Sequence, residues 1–147
     1  MTAHIFKYTP QTIDAGAVVF METSLGDLRW QVAQLTSELA TNTYIHYWFL
    51  KEEGRYVAYV AGQVLFGELE VIRVYTDPLV RGRGYGRLLL GQVLSEKGID
   101  VGFLEVRSRN QAAVRLYQGV GFQLVSTRKN YYKHPIDDAL TMLWKGE

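Results

Sequence analysis

The sequence predicts a mixed α/β fold in which a mostly antiparallel sheet of about seven strands is flanked by about four helices. Strand-like and helix-like segments follow one another in the order β-α-α-β-β-β-α-β-α-β-β. Three consecutive strands favour antiparallel pairing, whereas the β-α-β segment at residues 68–106 favours a local parallel pair. No Ser/Gly/Pro-rich linker interrupts the 147 residues, so we predict a single domain over residues 1–147.

The first half of the chain is predicted to hold a strand, two helices and a β-hairpin. These elements lie, in chain order, at residues 5–8, 11–21, 25–39, 44–50 and 56–61. Apolar residues recur at helical spacing in the second helix, at Leu28, Val32, Leu35 and Leu39. Both hairpin strands are rich in aromatic and β-branched residues, and Gly54 marks the turn between them.

The second half alternates strands with helices and ends in two further strands. These elements lie, in chain order, at residues 68–76, 84–96, 101–106, 111–118, 122–126 and 139–144. Pro78 follows the end of the first of these strands, and Gly98 follows the first helix. Asn110 is a good N-cap for the second helix, which is expected to end at Gly119.

Composition and patterning exclude several classes of protein. The sequence has no cysteine, which excludes disulfides, thiolate metal sites and a thiol nucleophile. A formal net charge of +1 gives no argument for direct nucleic-acid binding. There is no signal-like apolar start and no apolar run of about 18 residues, so we expect a cytoplasmic protein without a membrane segment. His4, His46 and His134 lack metal-ligand spacing, so we expect no metal.

A glycine-rich loop, RGRGYG at residues 81–86, lies between a predicted strand and a predicted helix. Glycine lets successive backbone N–H groups turn towards one point without a Cβ clash. The helix that follows adds unpaired N–H groups and the positive end of its dipole. Arg81, Arg83 and Arg87 can add charge-assisted contacts, so the segment is typical of a diphosphate-binding loop.

The spacing of the loop bears on two known kinds of diphosphate-binding loop. A P-loop needs GxxxxGK[ST], and neither its second glycine nor its lysine is in place. A dinucleotide fingerprint, GxGxxG, can begin at Gly82 but then meets Arg87 instead of its third glycine. Glu105 does lie about twenty residues further on, which weakens this alternative without excluding it. A purely structural turn is the remaining alternative.

The sequence of the loop resembles the signature of a known family. Arg81-x-x-Gly84-x-Gly86 is similar to the Q/R-x-x-G-x-G/A signature of the GNAT acetyltransferases, and it lies at the expected place between a strand and a helix. The resemblance implies that the loop N–H groups hold the pyrophosphate of acetyl-CoA. It also implies that the end of the preceding strand, Val74 to Thr76, pairs with the pantetheine amides.

Acetyl transfer requires both a base and an acid, and two residues downstream of the loop have suitable side chains. The amine must lose a proton before it attacks the thioester, and a carboxylate in a partly apolar site can accept that proton. The departing thiolate needs an acid, and a tyrosine hydroxyl is suitable. Two residues supply these groups: Glu105, near the end of a strand, and Tyr117, inside the next helix. Taken alone, such a glutamate is ordinarily a solvated carboxylate, and such a tyrosine is ordinarily a core aromatic. A backbone N–H near Val74 or Tyr75 can serve as donor to the thioester oxygen.

Residues 104–132 indicate which members of the family the chain resembles. Their pattern LEVR-x-x-N-x-x-A-x-x-L-Y-x-x-x-G-F, followed by R-x-N-Y-Y, resembles the RimI-type members, which acetylate the N-terminal alanine of small-subunit ribosomal protein eighteen. The resemblance implies that Glu105 is the general base and Tyr117 the general acid. It implies that Asn110 contacts the cofactor, and that Tyr131 and Tyr132 line the peptide entrance.

Taken together, these matches give one set of expected cofactor-binding residues. The set consists of Val74, Tyr75, Thr76, Arg81, Gly82, Arg83, Gly84, Tyr85, Gly86, Arg87, Asn110 and Tyr117. The expected reaction is direct transfer of acetyl from acetyl-CoA to a protein N-terminal amine in a ternary complex, with a ribosomal protein as acceptor. No metal takes part in it.

The first half of the chain departs from the RimI-type pattern. Leu28-Arg29-Trp30 stands where those sequences carry a Pro-Trp-Ser/Thr segment, and Arg73 stands where many have asparagine. These regions shape the acceptor site, so two alternatives stay open. One is an acetyltransferase of a small-molecule amine, such as a polyamine or an antibiotic. The other is a CoA-binding module without turnover, which would need neither Glu105 nor Tyr117.

Overall fold

A computed structural model describes residues 3–26 and 29–146. The elements are β1 (Ala3–Tyr8), α1 (Ala15–Leu25), α2 (Arg29–Thr41), β2 (Ile45–Glu52), β3 (Arg55–Leu65), β4 (Glu68–Thr76), a 3-10 turn (Pro78–Val80), α3 (Tyr85–Leu94), β5 (Val101–Arg107), α4 (Gln111–Gly119), β6 (Gln123–Lys133) and β7 (Ile136–Lys145). The predicted order of strands and helices is confirmed, as is the mixed α/β class.

The seven strands form one sheet in the order β1-β2-β3-β4-β5-β7-β6. Neighbouring strands are antiparallel except β4 and β5, which are parallel. The β4–β5 ladder is short, and its last pair is Glu70 with Phe103. Beyond that pair the two strands diverge, so residues 71–76 of β4 have no strand partner on the β5 side. A gap therefore opens in the middle of the sheet.

Helices cover the two faces of the sheet and divide the core into two clusters. On one face α3 contributes Leu89, Leu90, Val93 and Leu94, and α4 contributes Val114, to what we call the α3/α4 cluster. On the other face, Met21 of α1 and Leu35 of α2 pack over the aromatic side chains of β2 and β3 in the α1/α2 cluster. Full burial of one such side chain contributes roughly 1.5–3 kcal/mol, so the two clusters hold both helix pairs on the sheet.

A β-bulge in β4 changes which face its residues contact. Ala61 pairs with Arg73 and Gly62 with Val71, which leaves Ile72 as the extra residue. A side chain at Gly62 would clash, because an added Cβ would lie 2.6 Å from Leu69 Cδ1. After the bulge, Arg73 contacts α2, whereas Val74 packs against the α3/α4 cluster.

The structure corrects the predicted ends of several elements. Helix α1 begins at Ala15 rather than residue 11, because the Asp14 carboxylate caps it by accepting from Ala17 N at 2.7 Å. Strand β6 continues past Ser126 to Lys133, since it pairs with β7 beyond a bulge that follows Arg128. Of the apolar series predicted for α2, Leu28 lies outside the described residues.

Candidate active site

A cavity of about 650 Å³ lies beside the end of β4, on the side where β4 parts from β5, and extends between the start of α3 and α4. Every cofactor-binding residue predicted from the sequence lines it except Arg83. The remaining lining residues are Ala112, Ala113, Arg115 and Leu116. These were not predicted as site residues, although Ala113, Leu116 and Tyr117 lie on one face of α4 by helical spacing.

The glycine-rich loop has the backbone geometry of an anion cradle. Gly82 and Gly84 have φ angles of 83° and 82°, a region that favours glycine. Gly84 is the N-cap residue of α3, so the first N–H groups of that helix have no partner within the helix. These N–H groups and the positive end of the helix dipole face the cavity at the start of α3. A Cβ at Gly86 would lie 3.4 Å from Thr76 Oγ1, so glycine allows α3 to approach the end of β4.

The side chains around the loop hold it in place. The Nε of Arg81 donates to the Thr76 carbonyl at 3.0 Å, and its guanidinium lies 5.7 Å from the centre of the Tyr75 ring. The Tyr85 hydroxyl donates to the Glu52 carboxylate on β2. These contacts fix both ends of the loop against neighbouring strands.

Arg87 approaches the cavity from α3 and reaches the far end of α4. Its guanidinium packs so closely over Gly119 that a Cβ at that position would overlap it. A cation at the C-terminal end of a helix is stabilised by the helix dipole. Arg87 therefore joins the two helices that border the cavity, and it adds a positive charge to the cavity lining.

Tyr117 points from α4 into the same cavity. Its ring packs edge-on against Phe122 with 6.0 Å between ring centres, and it lies against the α3/α4 cluster. Burial raises the pKa of Tyr117, so the hydroxyl stays protonated at neutral pH. Asn110 also lines the cavity, and its Oδ1 caps α4 by accepting from Ala113 N at 3.2 Å.

Glu105 lies on β5 but does not line this cavity. Its neighbours Leu104 and Val106 are buried in the α3/α4 cluster, so the Glu105 side chain, by strand alternation, points to the opposite face. Its Oε2 lies 3.3 Å from Arg128 Nε and accepts from Thr141 Oγ1 at 3.4 Å, with 34% of the side chain exposed. The continuation of β6 therefore brings an arginine to this carboxylate.

Tyr131 and Tyr132 extend the cluster that surrounds Glu105. Their rings pack edge to face with 5.2 Å between centres. Arg128 lies 5.3 Å from the Tyr131 ring, and Arg107 lies 4.1 Å from the Tyr132 ring. Burial and, to a smaller extent, the charge of Glu105 raise the pKa of Tyr132. The two arginines were part of the sequence motif, but nothing in the spacing indicated that they pair with these tyrosines.

The predicted site residues thus form two groups on the two sides of the β4–β5 gap. One group surrounds the cavity and includes Tyr117; the other includes Glu105 and the paired tyrosines. Residues 74–76 pair with β3, but the short β4–β5 ladder leaves them without a strand partner on the β5 side, between the two groups. Asp77 N donates to the Val57 carbonyl on β3, so by alternation the N–H of Val74 faces the gap, where it can donate to a molecule lying along this edge.

Two further observations concern the described part of the chain. Within residues 3–26 and 29–146, no cluster of three or more His, Asp or Glu side chains could hold a metal ion. None of the described helices is both long enough and apolar enough to span a membrane.

Comparison with known proteins identifies the family. The chain matches the acetyltransferase (GNAT) family over residues 17–122. It belongs to the GNAT acetyltransferase family. The matched residues include the whole glycine-rich loop and α4, which line the cavity described above, and β5, which carries Glu105.

Several proteins are similar in sequence to this GNAT chain. An N-alpha-acetyltransferase RimI of Mycobacterium tuberculosis H37Rv is 38% identical over 135 residues, which cover 88% of this chain and 85% of that protein. An uncharacterized protein of Mycobacterium leprae is 37% identical over 139 residues, 91% of this chain and 38% of that protein. A ribosomal protein bS18-alanine N-acetyltransferase of Salmonella typhimurium is 36% identical over 86 residues, 56% of this chain and 58% of that protein. The chain thus spans little more than a third of the M. leprae protein and over half of the Salmonella one.

A solved structure has the same fold. The ribosomal-protein-S18-alanine N-acetyltransferase from Escherichia coli superposes with a TM-score of 0.79 at 23% identity, over 97% of this chain and 94% of that one. This likeness confirms the predicted GNAT fold, with its seven strands and flanking helices.

Proposed function

We propose that this GNAT chain transfers acetyl from acetyl-CoA to the N-terminal amine of a protein, with the N-terminal alanine of ribosomal protein bS18 as the preferred acceptor. The cavity that joins the glycine-rich loop to Tyr117 carries this proposal, because it combines a diphosphate cradle with a half-buried tyrosine hydroxyl. The name of the M. tuberculosis relative supports an N-terminal amine as acceptor, and the name of the Salmonella relative supports the alanine of bS18. A ribosomal acceptor also implies a cytoplasmic location.

The cofactor is proposed to lie along the cavity from α3 to the gap. Its pyrophosphate accepts from the N–H groups of residues 82–87, with the Arg81 and Arg87 charges nearby. Its pantetheine arm runs along the edge of β4, where Val74 to Thr76 have backbone groups without a partner on β5. This places the thioester between the strands, within reach of the Tyr117 hydroxyl, and it requires no metal.

The proposed reaction is a direct transfer in a ternary complex. Glu105 takes a proton from the acceptor ammonium, directly or through a water molecule, because its carboxylate lies on the acceptor side of the gap. The free amine then attacks the thioester carbonyl carbon, and the backbone N–H of Val74 donates to the oxygen as charge develops. The carbon–sulfur bond breaks, and Tyr117 donates its proton to the departing thiolate. The acetylated nitrogen loses its second proton to solvent, and Tyr117 regains a proton from solvent.

The acceptor peptide is proposed to enter past Tyr131 and Tyr132. Their half-exposed rings, each stacked with an arginine, provide a rigid amphipathic edge next to Glu105. This position fits a chain terminus whose amine reaches into the gap while the following residues stay outside the sheet. Small amines would not need such an entrance, so the arrangement favours a peptide.

The test is an acceptor survey with acetyl-CoA. We would incubate the protein with a peptide of the bS18 N-terminus, the same peptide with a blocked N-terminus, peptides beginning with Ser or Met, and spermidine. Thiol release and an added acetyl group on the free alanine peptide are expected, and the blocked peptide is the matched control. Release with spermidine alone would favour the small-molecule alternative, and cofactor binding without release would favour a module without turnover.

A further inference from the structure

Strand β7 begins with two adjacent aspartates, Asp137 and Asp138, that the proposed reaction does not use. Asp137 is only 6% exposed, and no other charged residue in the part of the chain that the structure describes is buried to this extent. Asp138 is half-buried. A buried carboxylate is stable only where donors surround it, so the partners of these two groups show what they hold in place.

The Asp137 carboxylate holds the loop between β5 and α4. Its Oδ1 accepts from Ser108 Oγ at 2.5 Å and from Asp138 N at 2.8 Å, and its Oδ2 accepts from Arg109 N at 3.1 Å. The hydrogen bond from Ser108, followed by those from the backbone, lowers the pKa of Asp137, so the group is ionised at neutral pH. The loop that it holds leads directly into Asn110, the N-cap residue of α4.

The Asp138 carboxylate holds the bulge of β6 instead. Its Oδ1 accepts from Asn130 N at 2.9 Å. The register between β6 and β7 shifts between Arg128 and Tyr132, and Asn130, inside this shift, has a φ of 53°. Asparagine adopts this left-handed region more readily than most residues, and the hydrogen bond to Asp138 fixes it there. The next residue is Tyr131, one of the two tyrosines proposed to line the acceptor entrance.

Two further hydrogen bonds join the same two segments. Ser108 N donates to the Asp138 carbonyl at 3.0 Å, and Arg107 Nη1 donates to the carbonyl of Pro135, in the turn between β6 and β7, at 3.1 Å. The β5–α4 loop and the β6–β7 hairpin therefore meet at the start of β7. A shift of either segment would change the separation between the cofactor cavity and the acceptor entrance.

We propose that Asp137 and Asp138 are positioning residues that set the separation between the cofactor side and the acceptor side of the gap. Asp137 acts through Asn110 and α4, the helix that carries Tyr117. Asp138 acts through the β6 bulge that precedes Tyr131. The naming of the two sides rests on the proposed function. Neither carboxylate needs to touch a substrate, because reacting groups must be held to within about 0.5 Å and both aspartates fix the segments that carry them.

Substitution of the two aspartates should change different constants. In Asp137→Asn the amide NH2 faces a backbone N–H whichever way it turns, because both oxygens of Asp137 accept from one. The Kd of acetyl-CoA, measured by calorimetry, should rise about three- to tenfold and kcat should fall about tenfold, with the Kd of the bS18 peptide nearly unchanged. Asp138→Ala should raise the Kd of the peptide about three- to tenfold and leave that of acetyl-CoA nearly unchanged. Loss of a negative charge alone would instead strengthen the binding of anionic acetyl-CoA.

Two milder variants separate positioning from loss of structure. Asp138→Asn keeps an oxygen that can accept from Asn130 N, so it should restore the peptide affinity lost in Asp138→Ala although it removes the same charge. Ser108→Ala removes one donor to Asp137 and introduces no competing N–H, so it replaces Asp137→Asn if that variant fails to fold. It should raise the Kd of acetyl-CoA by about twofold or more. All constants are compared well below the melting temperature of every variant.

The outcomes separate this inference from the proposed function. Folded variants of Asp137 and Asp138 with wild-type constants, or with equal changes in both Kd values, would overturn the positioning roles even if the wild type acetylates the peptide. If the wild type transfers no acetyl group, the proposed function fails. A rise in the Kd of acetyl-CoA for Asp137→Asn but not for Asp138→Ala would then still support the role of Asp137, and equal Kd values would overturn it.

Discussion

The two sides of the β4–β5 gap are built from different materials. The side proposed to hold acetyl-CoA is made of backbone: two glycines at positive φ, the N-terminus of α3 and the unpaired edge of β4. The side proposed to hold the acceptor is made of charged and aromatic side chains that pair with one another, such as Glu105 with Arg128 and Arg107 with Tyr132. A backbone cradle suits a ligand that never changes, whereas side-chain pairs can be exchanged to suit different acceptors.

This difference predicts that changes on the two sides will affect different kinetic constants. Changes to the cradle should alter the binding of acetyl-CoA, while changes on the acceptor side should alter proton transfer or the choice of acceptor. Tyr117 is the exception, since it lines the cofactor cavity but is proposed to act in the chemical step.

The largest effect is expected for Tyr117→Phe. The substitution keeps the ring packed on Phe122 and removes only the hydroxyl, so kcat should fall by roughly 10²-fold or more while acetyl-CoA binding changes little. Because burial raises the pKa of Tyr117 above its ordinary value of about 10, the wild-type rate should not decline on the alkaline side below about that pH. Rapid-quench turnover and calorimetry would measure the two quantities, and an unchanged kcat would remove Tyr117 from the role of acid.

Glu105→Gln should produce the next largest effect, and one that depends on pH. The base is needed most where the acceptor is an ammonium, so the rate should fall by up to about 10²-fold at low pH and by less as pH rises towards the pKa of the amine. Comparing pH–rate profiles of the two proteins from pH 6 upwards would show the converging curves. Parallel profiles would mean that Glu105 does not accept this proton.

Gly84→Ala should affect the cofactor alone. The φ of 82° at Gly84 is strained for alanine by about 1–3 kcal/mol, so acetyl-CoA affinity should fall by about tenfold as the loop relaxes, with kcat at saturation nearly unchanged. Gly91→Ala is the matched control: it lies within α3, has no positive φ, and an added Cβ there has no neighbour within 4 Å. That control should leave affinity unchanged and stabilise the helix by up to about 1 kcal/mol. Equal losses of affinity in both variants would contradict the cradle.

The same contrast explains how much could be predicted from the sequence. The order of elements follows from local patterns, since glycine spacing, a helix cap and strand periodicity all act over a few residues. The glycine loop was expected in the cavity lining from its spacing, whereas Val74 to Thr76, Asn110 and Tyr117 were expected there from the resemblance to the GNAT family. The setting of Glu105 did not follow, because it depends on Arg128 in a strand that continues well beyond its predicted end. The pairing of Arg73 with Glu38 joins residues 35 positions apart across a β-bulge, and no local pattern indicates which face a residue takes after a bulge.

The smallest effect is expected for Arg128→Gln, and it tests how closely the acceptor side is coupled to the chemistry. The Arg128 side chain is 59% exposed, so its ion pair with Glu105 contributes roughly 0.2–1 kcal/mol, which corresponds to a fall in kcat/KM of about 1.4- to fivefold. Salt screens such a pair, so the difference from the wild type should shrink as ionic strength rises, and Arg128→Lys should retain most of the rate. A loss as large as that of Tyr117→Phe, independent of salt, would instead mean that Arg128 contacts the reacting atoms. The acceptor side would then be part of the catalytic machinery itself, and its side chains could not be exchanged without cost to the reaction.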